Sequence, residues 1–83
     1  MKTLTVYTKP GCTYCASAKE YLKILDVPFA EVDISKDDAA RNKILLAGHK
    51  TLPVIYAGEQ VLVPGGFTAL KTMLKEDILE RLA

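Results

Sequence analysis

Hydrophobic and polar positions follow two periods along the chain, one typical of strands and one typical of helices. Leu4 and Val6 alternate with more polar neighbours, which predicts a strand. A Lys-Pro-Gly sequence at residues 9–11 ends that strand. Over residues 13–25 the apolar positions recur at helical spacing. Residues 29–34 alternate again and predict a second strand.

The second half of the chain continues with a helix, a hairpin and a closing helix. Ser35 or Asp37 can cap the helix, which ends at Gly48. Two short β-rich runs within residues 54–63 flank a turn of hairpin length. Helical spacing over residues 70–82 closes the chain. The predicted order is β-α-β-α-β-β-α, an α/β chain whose first half pairs its strands in parallel and whose hairpin adds an antiparallel edge.

Composition narrows the classes of function. The chain has 83 residues, of which 49% are hydrophobic, and a formal net charge of +1. This length predicts a single domain over residues 1–83, and we expect a monomer. The balanced charge argues against nucleic acid or a membrane surface as a partner. No apolar run reaches the roughly 20 residues of a membrane span, and the first seven residues do not resemble a signal peptide. We therefore expect a cytoplasmic protein.

The two cysteines stand three residues apart, in Cys12-Thr13-Tyr14-Cys15, where the first predicted strand turns into the first predicted helix. Helical side chains at this spacing lie about 5–6 Å apart, and a disulfide tolerates a Cα separation of about 4.4–6.8 Å. The pair can therefore open and close without large backbone movement, as a redox catalyst requires. In the cytoplasm, such a pair is more often catalytic or metal-binding than structural.

The two sulfurs are expected to differ. Cys12 lies at the helix start, where unpaired N–H groups and the helix dipole stabilise a thiolate, and Lys9 adds a nearby positive charge. Cys15 falls on the apolar face with Ala18 and Leu22, where burial favours the neutral thiol. We predict that Cys12 attacks the substrate and that Cys15 resolves the mixed disulfide.

Other roles for the pair fit the residues less well. A structural disulfide would close a very small loop in a reducing compartment. A zinc site needs four ligands as a rule, and only His49 and carboxylates could complete it. We predict no metal site, and we expect His49 to be a solvated loop residue rather than a proton shuttle.

Three segments resemble the dithiol glutaredoxins. Residues 7–15, Tyr-Thr-Lys-Pro-Gly-Cys-Thr-Tyr-Cys, resemble their active-site segment. Residues 51–54 resemble their Thr-Val-Pro segment, and residues 65–67 resemble their glycine pair before the last helix. The resemblance implies a thioredoxin-like fold, with a four-stranded mixed sheet flanked by three or more helices. It also implies thiol–disulfide oxidoreductase activity and a cis peptide bond between Leu52 and Pro53.

By the same resemblance, reduced glutathione is the reductant and no cofactor is tightly bound. The cysteine of glutathione would pair with the backbone of Leu52, and Tyr14 would flank its thiol. One carboxylate would meet Lys9 and Lys50, and the other the N–H groups of residues 66–68, where a helix start is a ready anion site. The implied glutathione site comprises Lys9, Tyr14, Lys50, Thr51, Leu52, Pro53, Gly66, Phe67 and Thr68.

The chain departs from this family pattern in one respect that bears on function. Glutaredoxins usually carry aspartate shortly after the glycine pair, where this chain has Thr68-Ala69. Weaker glutathione affinity is the expected result. The same departure, with the run Leu52-Pro53-Val54, favours an alternative: NrdH-redoxins resemble glutaredoxins but are reduced by thioredoxin reductase. Against this alternative, the chain lacks Trp, which that group usually carries in a Trp-Ser-Gly-Phe segment.

A third function belongs to a different class, a module that shares an iron–sulfur cluster between two chains. A bulky Tyr14 argues against it, since family members of that kind usually have a small residue there. The resemblance implies disulfide-containing proteins as partners, ribonucleotide reductase among them, and a reduction potential of roughly −200 to −230 mV.

Overall fold

Four strands and four helices make up the part of the chain that the computed structural model describes, residues 3–49, 52–58, 60–62 and 67–82. Their bounds are β1 Leu4–Thr8, α1 Thr13–Ile24, β2 Phe29–Asp33, α2 Asp38–Leu46, β3 Val54–Ala57, β4 Gln60–Val61, α3 Phe67–Leu70 and α4 Lys75–Leu82. Within those ranges, no helix has the length and apolar character needed to cross a membrane.

The strands form one mixed sheet in the order β2-β1-β3-β4. β1 pairs in parallel with β2, to which α1 connects it, and antiparallel with β3. β3 and β4 form the antiparallel hairpin at the other edge. The predicted four-stranded mixed sheet is confirmed. β1 is an inner strand, so the turn that leaves its end lies at the middle of the sheet edge.

Both faces of the sheet are covered. The larger core joins one face to α1, α3 and α4 through nine buried side chains: Leu4, Val6, Ala18, Leu22, Val27, Ile55, Leu62, Leu70 and Ile78. On the other face, a smaller core joins α2 to the inner strands through Tyr7, Ile44, Val54 and Tyr56. The alternation of Val6 and Tyr7 in β1 places them in different cores, as the period of a strand requires.

Local hydrogen bonds set the ends of α2. Of the two candidate caps, Asp37 takes the position, because its Oδ1 accepts a hydrogen bond from the N–H of Ala40 at 3.0 Å. The hydroxyl of Ser35 instead donates to Asp33 Oδ1 at 2.6 Å. At the other end, Gly48 has φ +85°, a left-handed conformation that glycine adopts without steric cost.

The prediction of a single closing helix over residues 70–82 is wrong, because the structure has two helices here, α3 and α4. The hydroxyl of Thr72 donates to the carbonyl of Ala69 at 2.6 Å and so competes with the helical hydrogen bonds there. A new helix then begins, and Asp77 Oδ2 accepts a hydrogen bond from the N–H of Leu74 at 3.2 Å. This contact, in which the N3 side chain accepts from the N-cap backbone N–H, is one half of a capping box. The apolar residues keep their helical spacing across the break, but the backbone hydrogen bonds of α3 do not continue into α4.

Candidate active site

Cys12 is the N-cap residue of α1, at the point where the chain leaves β1. Its backbone is extended, and its Sγ accepts a hydrogen bond from the N–H of Cys15 at 3.2 Å. Gly11, at φ +80°, makes the turn that leads into this position. The predicted placement of Cys12 at the helix start is confirmed. Backbone N–H groups and the positive end of the helix dipole therefore face this sulfur.

Cys15 lies one turn further along the same helix and is 2% exposed. It shares the buried face of α1 with Ala18 and Leu22, as predicted. The two Cα atoms are 5.2 Å apart and the sulfurs are joined in a disulfide. Cys12 is only half-buried. Cys12 is therefore the more accessible of the two cysteines to a reactant in solvent.

The peptide bond between Leu52 and Pro53 is cis, as the resemblance implied. Pro53 is buried and Leu52 is half-buried. The carbonyl oxygen of Leu52 lies 3.8 Å from Cys12 Sγ. The segment before β3 thus lies directly beside the more exposed sulfur.

A cleft of about 430 Å³, hereafter the first cleft, opens at Cys12. Three residues of the implied glutathione site contribute to it, namely Lys9, Tyr14 and Leu52. The described residues that line it are Lys9, Gly11, Cys12, Thr13, Tyr14, Ile34, Ile44, Leu45, His49 and Leu52.

The other residues of the implied glutathione site are placed as follows. Phe67 is half-buried at the start of α3, and its ring stacks on that of Tyr14 with centroids 6.3 Å apart. Thr68 is exposed on the same helix. Lys50, Thr51 and Gly66 lie outside the described residues.

Comparison with known proteins identifies the family. Residues 4–62 match the family model for glutaredoxin. A glutaredoxin of Neisseria meningitidis serogroup B is 38% identical over 85 residues, covering 99% of this chain and 96% of the relative. Glutaredoxin 3 of Escherichia coli is 34% identical over 61 residues, 72% of this chain and 74% of the relative. The solution structure of a glutaredoxin from Brucella melitensis superposes with a TM-score of 0.73 at 34% identity, covering 99% and 91% of the two chains. The chain belongs to the glutaredoxin family.

Glutaredoxins are thiol–disulfide oxidoreductases, and this member carries the dithiol that the reaction needs. The disulfide of the present structure is the oxidised form of that dithiol. In the described part of the chain, no group of three or more His, Cys, Asp or Glu side chains is arranged to hold a metal ion.

This glutaredoxin has a second cleft, of about 230 Å³, which shares Lys9, Gly11 and Cys12 with the first cleft and also reaches Cys15. Its wall is polar. Lys19 Nζ donates to Glu31 Oε2 at 2.9 Å, and the buried hydroxyl of Thr8 donates to the same oxygen at 2.8 Å. These hydrogen bonds, that from Lys19 first, hold the pKa of Glu31 below its ordinary value. Cys12 therefore lines both clefts, and Cys15 lines the second, which carries the charged side chains of Lys19 and Glu31.

His49 departs from its predicted role as a solvated loop residue. It lies in the loop after α2, but it is half-buried and lines the first cleft. Its Nε2 is 3.3 Å from the hydroxyl of Tyr56. The buried ring of Tyr56 also lies 4.7 Å from Lys43 Nζ. Contact with the smaller core therefore orients the imidazole at the edge of the cleft.

Residues that line the two clefts without belonging to any motif were missed by the sequence reasoning. Ile34, Ile44 and Leu45 resemble ordinary apolar positions, and Glu31 resembles an ordinary polar position of an edge strand. One signal was available. Leu45 and Leu46 are adjacent at the end of an amphipathic helix, so both cannot face the core.

Proposed function

We propose that this glutaredoxin reduces protein disulfides and glutathione mixed disulfides with electrons from glutathione, through attack by Cys12 and resolution by Cys15. The observation that carries the proposal is the unequal placement of the two sulfurs. Cys12 is half-exposed at the start of a helix and in a cleft, whereas Cys15 is 2% exposed within bonding reach behind it.

Thiol–disulfide exchange proceeds by attack of a thiolate on a disulfide sulfur. The Cys12 thiolate attacks one sulfur of a substrate disulfide, a mixed disulfide forms, and the other substrate sulfur leaves as a thiol. The Cys15 sulfur then attacks Cys12 Sγ, gives up its proton and releases the second substrate thiol. The resulting Cys12–Cys15 disulfide is opened by one glutathione, and a second glutathione removes the first as glutathione disulfide. One protein disulfide and two glutathiones thus give two protein thiols and one glutathione disulfide.

The first cleft and the cis-proline segment support a binding mode for glutathione. Its cysteine would pair with the backbone of Leu52 beside Cys12, with Pro53 behind it. Lys9 would meet one carboxylate, and Tyr14, 61% exposed at the rim, would cover the thiol. The proposed site is completed by Lys50, Thr51, Gly66, Phe67 and Thr68.

The physiological setting is part of the proposal. A dithiol that must be regenerated by glutathione suits the cytoplasm, where the thiol pool is reducing. We propose that residues 1–83 act as one monomeric domain and that ribonucleotide reductase is among the protein substrates. The balanced net charge of +1 offers no broad attraction to nucleic acid or membrane.

A coupled assay tests the electron source. The oxidised protein is supplied with NADPH and either glutathione with glutathione reductase or thioredoxin reductase alone, and NADPH consumption is followed with a peptide disulfide as substrate. We expect turnover with glutathione and none with thioredoxin reductase. The reverse result would establish an NrdH-type redoxin and refute the proposal.

Two serine variants test the roles of the sulfurs. Cys12→Ser should abolish reduction of every substrate, because no accessible thiolate remains. Cys15→Ser should lose reduction of protein disulfides but still reduce glutathione mixed disulfides, since a second glutathione can replace the resolving thiol. Activity of Cys12→Ser equal to that of the wild type would reverse the assignment.

A further inference from the structure

Besides Leu52, three aliphatic side chains line the first cleft. Ile44 is 3% exposed, Ile34 is half-buried, and Leu45 is 62% exposed. These three side chains are hereafter the aliphatic wall. A single exposed leucine on a protein surface needs no explanation. Here, however, the exposed leucine lines the same cleft as Cys12, so a polypeptide bound along this cleft can contact it.

Glutathione has no group that matches this wall. Apart from its cysteine, it consists of a γ-linked glutamate and a glycine, which carry carboxylates, an amine and amides but no aliphatic side chain. With glutathione bound, Leu45 would remain in water. A peptide that pairs with the backbone of Leu52 as an added strand would instead place along the cleft the side chain two residues from its cysteine, because alternate residues of a strand share a face.

The charges that line the cleft restrict the partner further. Among the described residues that line the first cleft, Lys9 carries a positive charge, His49 carries an imidazole, and none carries a carboxylate. The carboxylates near the sulfurs, Glu31 and Asp33, line the second cleft instead. A basic residue two positions from the substrate cysteine would therefore be repelled by Lys9 in the same cleft, while a neutral or acidic residue would not.

We propose that the aliphatic wall selects protein disulfides in which an aliphatic side chain, and not a basic one, stands two residues from the reacting cysteine. The proposal rests on the proposed function, since it needs disulfide exchange at Cys12. The occupant is the polypeptide segment that carries the disulfide, and burial of its aliphatic side chain against Leu45 supplies the preference.

The test uses the reduced protein without glutathione, so that a single exchange is observed. The protein is mixed with an excess of a symmetric peptide disulfide, the reaction is stopped with acid, and released peptide thiol is measured by chromatography. In each reaction, the reduced protein and one peptide disulfide give the Cys12–Cys15 disulfide and two peptide thiols. The peptides are acetyl-Leu-Gly-Cys-Gly-amide and acetyl-Gly-Cys-Gly-Leu-amide, with matched peptides that carry Ser or Lys in place of Leu.

We expect one of the two leucine peptides to react on the order of five to ten times faster than its serine counterpart, as partial burial of one leucine side chain predicts. The lysine peptide should be the slowest of the three. Leu45→Ser should bring the leucine-to-serine ratio close to one, and Leu45→Met should restore most of it. Leu74→Ser is the matched control, because Leu74 is 64% exposed but does not line the first cleft, and it should keep the wild-type ratio.

The outcomes separate this proposal from the proposed function. Equal rates for both leucine peptides and their serine counterparts would refute selection by the aliphatic wall and leave the proposed function standing. A leucine-to-serine rate ratio that is unchanged in Leu45→Ser would have the same meaning. If no peptide disulfide oxidises the protein, both proposals fail. If the leucine preference is found but glutathione does not reduce the oxidised protein, selection by the aliphatic wall is supported and the proposed electron source is wrong.

Discussion

Leu22 anchors the cysteine-bearing helix to the sheet, and its truncation is a direct test of the packing. The side chain is 0% exposed within the larger core and shares its face of α1 with Cys15 and Ala18. Leu22→Ala removes three carbon atoms. At about 0.8 kcal/mol for each buried carbon, the lost transfer free energy is about 2.4 kcal/mol, and the cavity left behind brings the expected loss to about 3 kcal/mol.

This loss is large for a chain of 83 residues. Domains of this size have unfolding free energies of about 4 to 12 kcal/mol. A change of 1 kcal/mol shifts Tm by about 4–8 °C at this length, so Leu22→Ala should lower Tm by about 12–24 °C. The free energy of unfolding is to be measured by urea titration and by thermal melting, on the oxidised protein so that the disulfide is the same in both variants.

Ile24→Ala provides the matched control on the same helix. Ile24 is 72% exposed, and alanine has the higher helix propensity, so the free energy of unfolding should change by less than about 0.5 kcal/mol. Comparable losses for the two variants would refute the assignment of Leu22 to the core. A changed urea m value would instead show that the denatured state or the cooperativity had changed.

Two further predictions concern charged side chains. The Lys19–Glu31 pair is partly exposed, at 29% and 41% of its side chains, so Glu31→Gln should cost only about 0.5 kcal/mol at pH 7. Hydrogen bonds from Lys19 and Thr8 lower the folded-state pKa of Glu31 from its ordinary value of 4.5, so its stabilisation is present above that pH and is lost as the pH falls through the folded-state pKa. The free energies of unfolding of wild type and variant should therefore converge as the solution is acidified, with Glu20→Gln as control, and a difference that does not shrink would contradict the pairing. Asp37→Ala removes the N-cap of α2 and should lower the free energy of unfolding by about 1 kcal/mol, whereas Asp38→Ala should cost less; equal losses in urea titrations would exclude the capping role.

Short-range patterns in the sequence determined most of the elements. The alternation around Leu4 and Val6 and the helical spacing after Cys12 predicted β1 and α1 with bounds close to those observed. The cysteine spacing and the turn before it placed one sulfur at a helix start and the other on a buried face, and both positions are confirmed. These features depend on residues only a few positions apart, so they can be read locally.

Local hydrogen bonds changed one element against its hydrophobic period. The apolar positions from Leu70 to Ile78 suit one continuous helix, but Thr72 and Asp77 stop one helix and start another. Periodicity reports which face is buried and does not register a break in the hydrogen-bond ladder. A Thr followed by Asp five residues later carries some of that information, but capping signals are weaker than an apolar repeat.

The surroundings of the two sulfurs were decided by the tertiary structure. The aliphatic wall joins Ile34, which follows β2, to Ile44 and Leu45 at the end of α2, and the second cleft brings Glu31 of β2 against Lys19 of α1. In sequence these residues stand 16 to 30 positions from the nearer cysteine, apart from Lys19, and none belongs to a motif. Parallel pairing of β1 with β2 places Glu31 and Ile34 beside the end of β1, from which the chain turns to Cys12. The reactive dithiol could thus be predicted from the local sequence. The apolar and charged side chains around it come from chain segments that meet only on folding.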